Sequence, residues 1–111
     1  MPLGSLPAPI SGCLFYPRPR IVTAAATLDP TDGLILADAG GGYTVTLPPV
    51  ASLPYNKQYI IIKTDVGVGV LTVDGFSAET INGTATRTLA AQYSRIHIIN
   101  TGTEWLIIST A

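Results

Sequence analysis

Cysteine is almost missing from this chain, and so are ions. Cys13 is the single cysteine in 111 residues, which excludes an intramolecular disulfide framework, and no Cys/His set has the spacing of a zinc site. Charged residues make up 12%, where roughly 25% is usual, while 47% are hydrophobic. The chain is thus too apolar to be disordered and has little material for a solvated surface. Long apolar runs are lacking too: Thr, Gly or Lys interrupts each one early, and none approaches the roughly 20 residues of a membrane helix. Six Lys and Arg against seven Asp and Glu give a net charge of −1, and the basic residues are scattered apart from Arg18 and Arg20. Neither nucleic acid nor an anionic membrane is an expected partner. What remains is a single domain whose surface meets other protein, as an obligate oligomer or as a subunit of a larger assembly.

Proline is plentiful but only in one half. All nine prolines fall in the first 54 residues, and Pro2, Pro7, Pro9, Pro17 and Pro19 crowd the start. They remove backbone donors and bias their neighbours toward extended conformations. Residues 1–20 are therefore expected to be an extended arm, and residues 21–111 a β domain. The arm carries Leu3, Leu6, Ile10, Leu14, Phe15 and Tyr16, more apolar surface than a solvated linker needs. Ile10-Ser11-Gly12-Cys13 has the look of a lipobox, but no basic n-region or apolar h-region precedes it.

Beyond residue 20 the grammar is that of strands. Thr, Val and Ile abound, and turn residues recur every 8 to 12 positions. Tyr43-Thr44-Val45-Thr46-Leu47 alternates with period two, so Tyr43, Val45 and Leu47 share one face and the threonines the other, until Pro48-Pro49 ends the strand. Tyr59-Ile60-Ile61-Ile62-Lys63 is apolar on both faces, which suits a strand between layers or at a subunit contact. Asp74-Gly75 and Asn82-Gly83 read as turns with positive φ. Segments 93–99 and 104–109 flank Asn100-Thr101-Gly102-Thr103 and predict a hairpin, with Ile96 and Ile98 on one face and Tyr93, Arg95, His97 and Ile99 on the other. Ala24-Ala25-Ala26 could take one helical turn. No repeat of 20 to 50 residues is present, and Gly40-Gly41-Gly42 precedes a strand, which suits a loop rather than a phosphate cradle. The expected fold is all-β: a compact antiparallel β-sandwich or a jelly-roll-like barrel.

Catalytic chemistry is thinly supplied. His97 lies between isoleucines with no nucleophile motif nearby and reads as a structural or surface residue. Cys13 has no basic neighbour closer than Arg18, so nothing lowers its thiol pKa. Asp29, Asp32 and Asp38 raise a calcium question, but the EF-hand spacing and its closing Glu are missing, and Asp29-Pro30 and Asp32-Gly33 are turn pairs. No enzyme, metal or cofactor is expected. Tyr55, Tyr93 and Trp105 could stack on sugar rings, although Trp105 alternates with Ile107 as a core aromatic does.

One resemblance adds to this reading. From about Ala26 to Ser109 the chain resembles a small β module of tailed-bacteriophage virion proteins, found in head decoration (cement) proteins, head fibres and tail fibres. The residues that carry it are Tyr43-Thr44-Val45-Thr46-Leu47-Pro48, Tyr59-Ile60-Ile61-Ile62-Lys63-Thr64, Leu71-Thr72-Val73-Asp74-Gly75, Glu79-Thr80-Ile81-Asn82-Gly83 and Gly102-Thr103-Glu104-Trp105. Asn82 departs from the usual Asp, and Asn100-Thr101-Gly102 from the usual Asp-Gly, both with turn chemistry kept. The resemblance implies a homotrimer. A fibre carries a long shaft and tip, whereas one module behind an arm that starts at Met1 suits a capsid decoration protein: the arm lies on the major capsid protein and the β body stands on the outer shell. Leu6, Ile10, Leu14, Phe15, Tyr16 and Arg18 are then the candidate shell contacts. Ile60, Ile62, Leu71, Val73, Ile81 and Leu89 are candidates for core or trimer packing. The alternative is a receptor- or glycan-binding module of a tail or head fibre, using Tyr55, Tyr93 and Trp105.

Overall fold

The computed structural model describes residues 19–111. Nine strands follow one another: β1 (Arg20–Val22), β2 (Ala26–Thr27), β3 (Leu34–Ala37), β4 (Tyr43–Thr46), β5 (Gln58–Lys63), β6 (Leu71–Asp74), β7 (Thr86–Leu89), β8 (Arg95–Asn100) and β9 (Trp105–Thr110), with a short 3-10 turn at Val50–Ser52. They form a five-stranded sheet I, in the order β1-β3-β5-β8-β9, and a four-stranded sheet II, in the order β2-β4-β6-β7. β1 starts at the last residue assigned to the arm. Ala26 opens β2, so the alanine run makes no helical turn there.

The all-β expectation holds, but the antiparallel one is corrected. β1/β3, β3/β5, β2/β4 and β4/β6 pair in parallel, and only β5/β8, β6/β7 and β8/β9 are antiparallel. From β1 to β6 the chain changes sheet at every connection and lays each strand beside the one two places earlier. Parallel neighbours need a crossover, and here the crossover is a strand of the opposite sheet. The winding is uneven: Arg20 stands beside Ile35, whereas Leu34 stands beside Ile60. A coil with unequal turns leaves no fixed period in the sequence.

One face of each sheet turns inward. Ile35, Ile61, Ile96 and Ile98 of sheet I meet Val45, Leu71 and Val73 of sheet II in a single core, joined by Leu47, Ile81 and Trp105. Each such side chain, fully buried, contributes roughly 1.5–3 kcal/mol. Tyr59 lies 5.4 Å from the Trp105 ring, tilted by 51°, and its hydroxyl donates to the Asp29 carbonyl at 2.7 Å. Burial raises the Tyr59 hydroxyl pKa, with Asp32 and Asp29 adding to the effect.

Two buried polar side chains fasten opposite ends of the body. Asn100 donates to the carbonyls of Val50 and Pro54 at 3.0 and 3.3 Å and accepts from the Gly102 N–H at 2.7 Å. It belongs to β8 rather than to the hairpin loop, because these bonds need its side chain inside. At the other end the fully buried Lys63 ammonium donates to the Asp65 carbonyl and carboxylate, both at 3.1 Å, and to the Gly67 carbonyl at 2.9 Å.

The turns divide. Asn82 and Gly83 take φ of 49° and 81° beneath an Ile81–Thr84 bridge, as their sequence suggests. Gly75 has no positive φ, contrary to expectation. It is glycine because a Cβ there would lie 2.4 Å from the Glu79 carbonyl oxygen.

Candidate interaction surface

Since the core takes only one face of each sheet, the molecule presents two outer faces. On sheet I the strand registers bring Ile21, Leu36 and Ile62 into one row and Leu34, Ile60 and His97 into the next, with Ile99 and Leu106 beyond. Leu34, Leu36, Ile60, Ile62 and Ile99 are half-buried by one another, while Ile21 and Leu106 are 72% and 41% exposed. The polar members are Gln58, Arg95, His97 and Ser109. His97 Nε2 and Gln58 Oε1 lie 2.6 Å apart, in a hydrogen bond that ties β8 to β5. A β-bulge at His97/Ile98 frees Ile108, 51% exposed, from the regular pairing.

Sheet II has an opposite exterior built by the same geometry. Thr27, Thr46 and Thr86 stand in one row with Asp74, and Thr44, Thr72 and Thr88 form the next. Thr31, Thr64, Thr80, Thr84 and Thr101 bond through their hydroxyls to other protein groups. None of the sheet II threonines does so among the described residues, and their hydroxyls face water. Threonine suits such a face because its methyl and β-branch favour the strand and its hydroxyl stays solvated.

Elsewhere the chemistry is structural. Arg20 and Asp32 form an ion pair at 2.7 Å where β1 begins. The Thr31 hydroxyl, then its N–H, holds the Asp29 carboxyl below its usual range. The three aspartates therefore divide their work: Asp29 and Asp32 order a turn, and Asp38 stays exposed. Among the described residues no group of three or more His, Cys, Asp or Glu could hold a metal ion. Partial burial pushes the Asp65 carboxyl up, but the Ala39 N–H, Lys63 and the Gly67 N–H outweigh it, so its pKa ends lowered. The clip fixes a loop that leaves Val68 96% exposed. A groove of about 260 Å³ between β7 and β9 is lined by Leu89, Ile96, Ile107, Arg87 and Arg95.

The residues expected to pack a core or a trimer separate cleanly. Leu71, Val73, Ile81 and Leu89 are buried in the core, whereas Ile60 and Ile62 point outward on sheet I. The glycan set does not assemble. Trp105 is fully buried and cannot touch a ligand, and the exposed Tyr55 and Tyr93 flank opposite ends of β5 and β8. Leu6, Ile10, Leu14, Phe15, Tyr16 and Arg18 lie outside the described residues, as does Cys13. Leu34, Leu36, Ile99 and Leu106 were not expected in a surface. Leu34-Ile35-Leu36 carries the same sign as β5, an apolar run that a single core cannot absorb on both sides. Comparison with known protein families and with curated proteins finds no match to the chain.

Proposed function

We propose that this chain is a structural virion protein, a bacteriophage capsid decoration protein that sits on the outer shell as a homotrimer and stabilises it. The observation that carries the reading is the aliphatic exterior of sheet I. A five-stranded face with strands of three to six residues has a footprint of about 400 Å², and leaving it wet is unfavourable at roughly 25 cal/mol per Å² of apolar surface. A standard interface takes about 800 Å² from each partner. The body face therefore needs further contact to hold an assembly, and the apolar arm of residues 1–20 supplies it by lying on the major capsid protein. Three arms on one trimer gain affinity through effective concentration.

The glycan-binding alternative has lost its platform, since Trp105 is in the core and Tyr55 and Tyr93 are apart. Removal of residues 1–19 tests the proposal. A truncated protein that keeps its oligomeric mass and far-UV spectrum but no longer co-sediments with empty shells is the expected result. Shell binding as strong as that of the full chain overturns the role given to the arm.

A further inference from the structure

We propose that, in the protein free of its shell, the chain's own arm folds back over the outer face of sheet I, with residues 10–16 laid across its aliphatic rows. This builds on the decoration reading, which gives the same arm to the major capsid protein, and assigns the seat the arm holds before docking.

Where the arm ends points to the seat. β1 begins at Arg20 on an edge of sheet I, and Arg20 pairs with Ile35, so Pro19 stands level with Leu34. From there one row runs across the sheet through Leu34, Ile60, His97 and Ser109. Gln58, Ile99 and Leu106 lie on one side of that row, and Ile21, Leu36, Ile62 and Arg95 on the other. Asp38 follows β3 past this last row, and Ala111, which pairs with Arg95, closes it. Five strands at their usual spacing are about 19 Å across. Between Pro9 and Pro17 the arm has seven residues without proline, which reach about 23 Å when extended. With Pro17 and Pro19 at the turn, that stretch fits the row from edge to edge.

Chemistry and size agree with reach. In an extended chain Ile10, Gly12, Leu14 and Tyr16 share one side, which sets two aliphatic side chains and a ring against the rows and lets the backbone come close at Gly12. Each proline of the arm keeps its carbonyl and lacks an N–H, so the arm is rich in acceptors. The face has donors to meet them: His97 engages Gln58 Oε1 and leaves its Nε2 amide, and Arg95 and Ser109 are exposed. A face of about 400 Å² is half of the roughly 800 Å² that a standard interface takes from each partner, too little to hold a second copy by itself. A segment tethered at Pro19 needs less area, because the tether sets a high effective concentration and the translational cost of association is not incurred.

Cys13, the single cysteine, falls on the other side of the extended arm and can carry a nitroxide without disturbing the seat. Methyl NMR spectra of the labelled full chain, without shells, are compared before and after reduction of the nitroxide. The expected result is loss of intensity at Leu34, Ile60 and Ile62, while Thr44 and Thr72 of sheet II keep theirs. Equal broadening on both sheets, or none, overturns the inference. Labelled chains of ordinary isotope content mixed with unlabelled, isotope-enriched ones separate the chain's own arm from a sister's: broadening in the mixture as strong as in the parent gives the seat to a sister copy and overturns it too. Ile60→Glu, with an unchanged far-UV spectrum, should abolish the broadening by charging the middle of the row, and broadening that persists at the parent's strength counts against the seat. Co-sedimentation of the parent with empty shells judges the decoration reading separately. A seated arm without shell binding overturns that reading and keeps this one, and shell binding without a seated arm does the reverse.

Discussion

The two exteriors of this sandwich are made by the same device and end in opposite states. In both sheets every second residue turns out of the core, yet on sheet II these positions are threonine beside Asp74, and on sheet I they are mainly isoleucine and leucine, with Gln58, Arg95, His97 and Ser109 among them. A threonine row satisfies the strand and the solvent together, and it is complete as it stands. The aliphatic rows satisfy the strand alone. The difference teaches that β patterning fixes which side chains face outward, while their chemistry decides whether the outside is a surface or an interface.

The comparison can be broken most forcefully between neighbours on β5. Ile61→Ala, in the core, should destabilise the body by about 2–5 kcal/mol in urea titration at pH 7.5. Ile60→Ala, one residue away and facing outward, should cost the body itself less than about 1 kcal/mol and appear as weaker association. Equal losses at the two sites would mean that the outer rows are already packed.

Next in size is a transplant of character. Thr44→Val, Thr72→Val and Thr88→Val together should make the sheet II exterior adhesive and raise the mass seen by light scattering, with the fold kept. If the triple variant keeps the parent's mass, an aliphatic exterior is not sufficient for association.

Acid probes one end of the body and not its faces. The Asp65 carboxyl is held below its usual pKa, so its contribution to stability is complete above about pH 4, the ordinary carboxylate range, and is lost as pH falls through the depressed value. Thermal stability of the body should therefore hold from neutral pH down to about pH 4 and fall below it as the Lys63–Asp65 clip fails. Asp65→Asn should lower Tm more than Lys63→Met, because only the former strands a buried ammonium. The reverse order would contradict this account of the clip.

The smallest effect is expected from Thr72→Ser. A solvated position of this kind should change unfolding free energy by no more than about 0.5 kcal/mol and leave association unchanged. A larger shift in either quantity would give the threonine rows a role of their own.

Parts of this design can be read from local sequence. The inward set Val45, Leu47, Ile96 and Ile98 follows from period two, and Asn82-Gly83 declares its turn because few residues tolerate positive φ. Asp74-Gly75 misleads because glycine serves close approach as well as positive φ, and only the nearness of Glu79 shows which applies. Strand direction is illegible for a similar reason: a strand with one buried face alternates identically whether its neighbour runs parallel or antiparallel. The role of Asn100 is equally hidden, since its partners Val50 and Pro54 are far away in the chain.

By itself, then, the sequence determined a threonine- and isoleucine-rich β chain, the face to which most side chains turn, and a shortage of ions. All of these are local or compositional quantities. The tertiary structure alone decided that β3, β5 and β8 lie side by side, so that outward leucines and isoleucines distant in sequence join into one sheet face around His97. Neighbour choice among strands depends on long-range backbone pairing and on how two layers close over a common core, and no short window of residues encodes either.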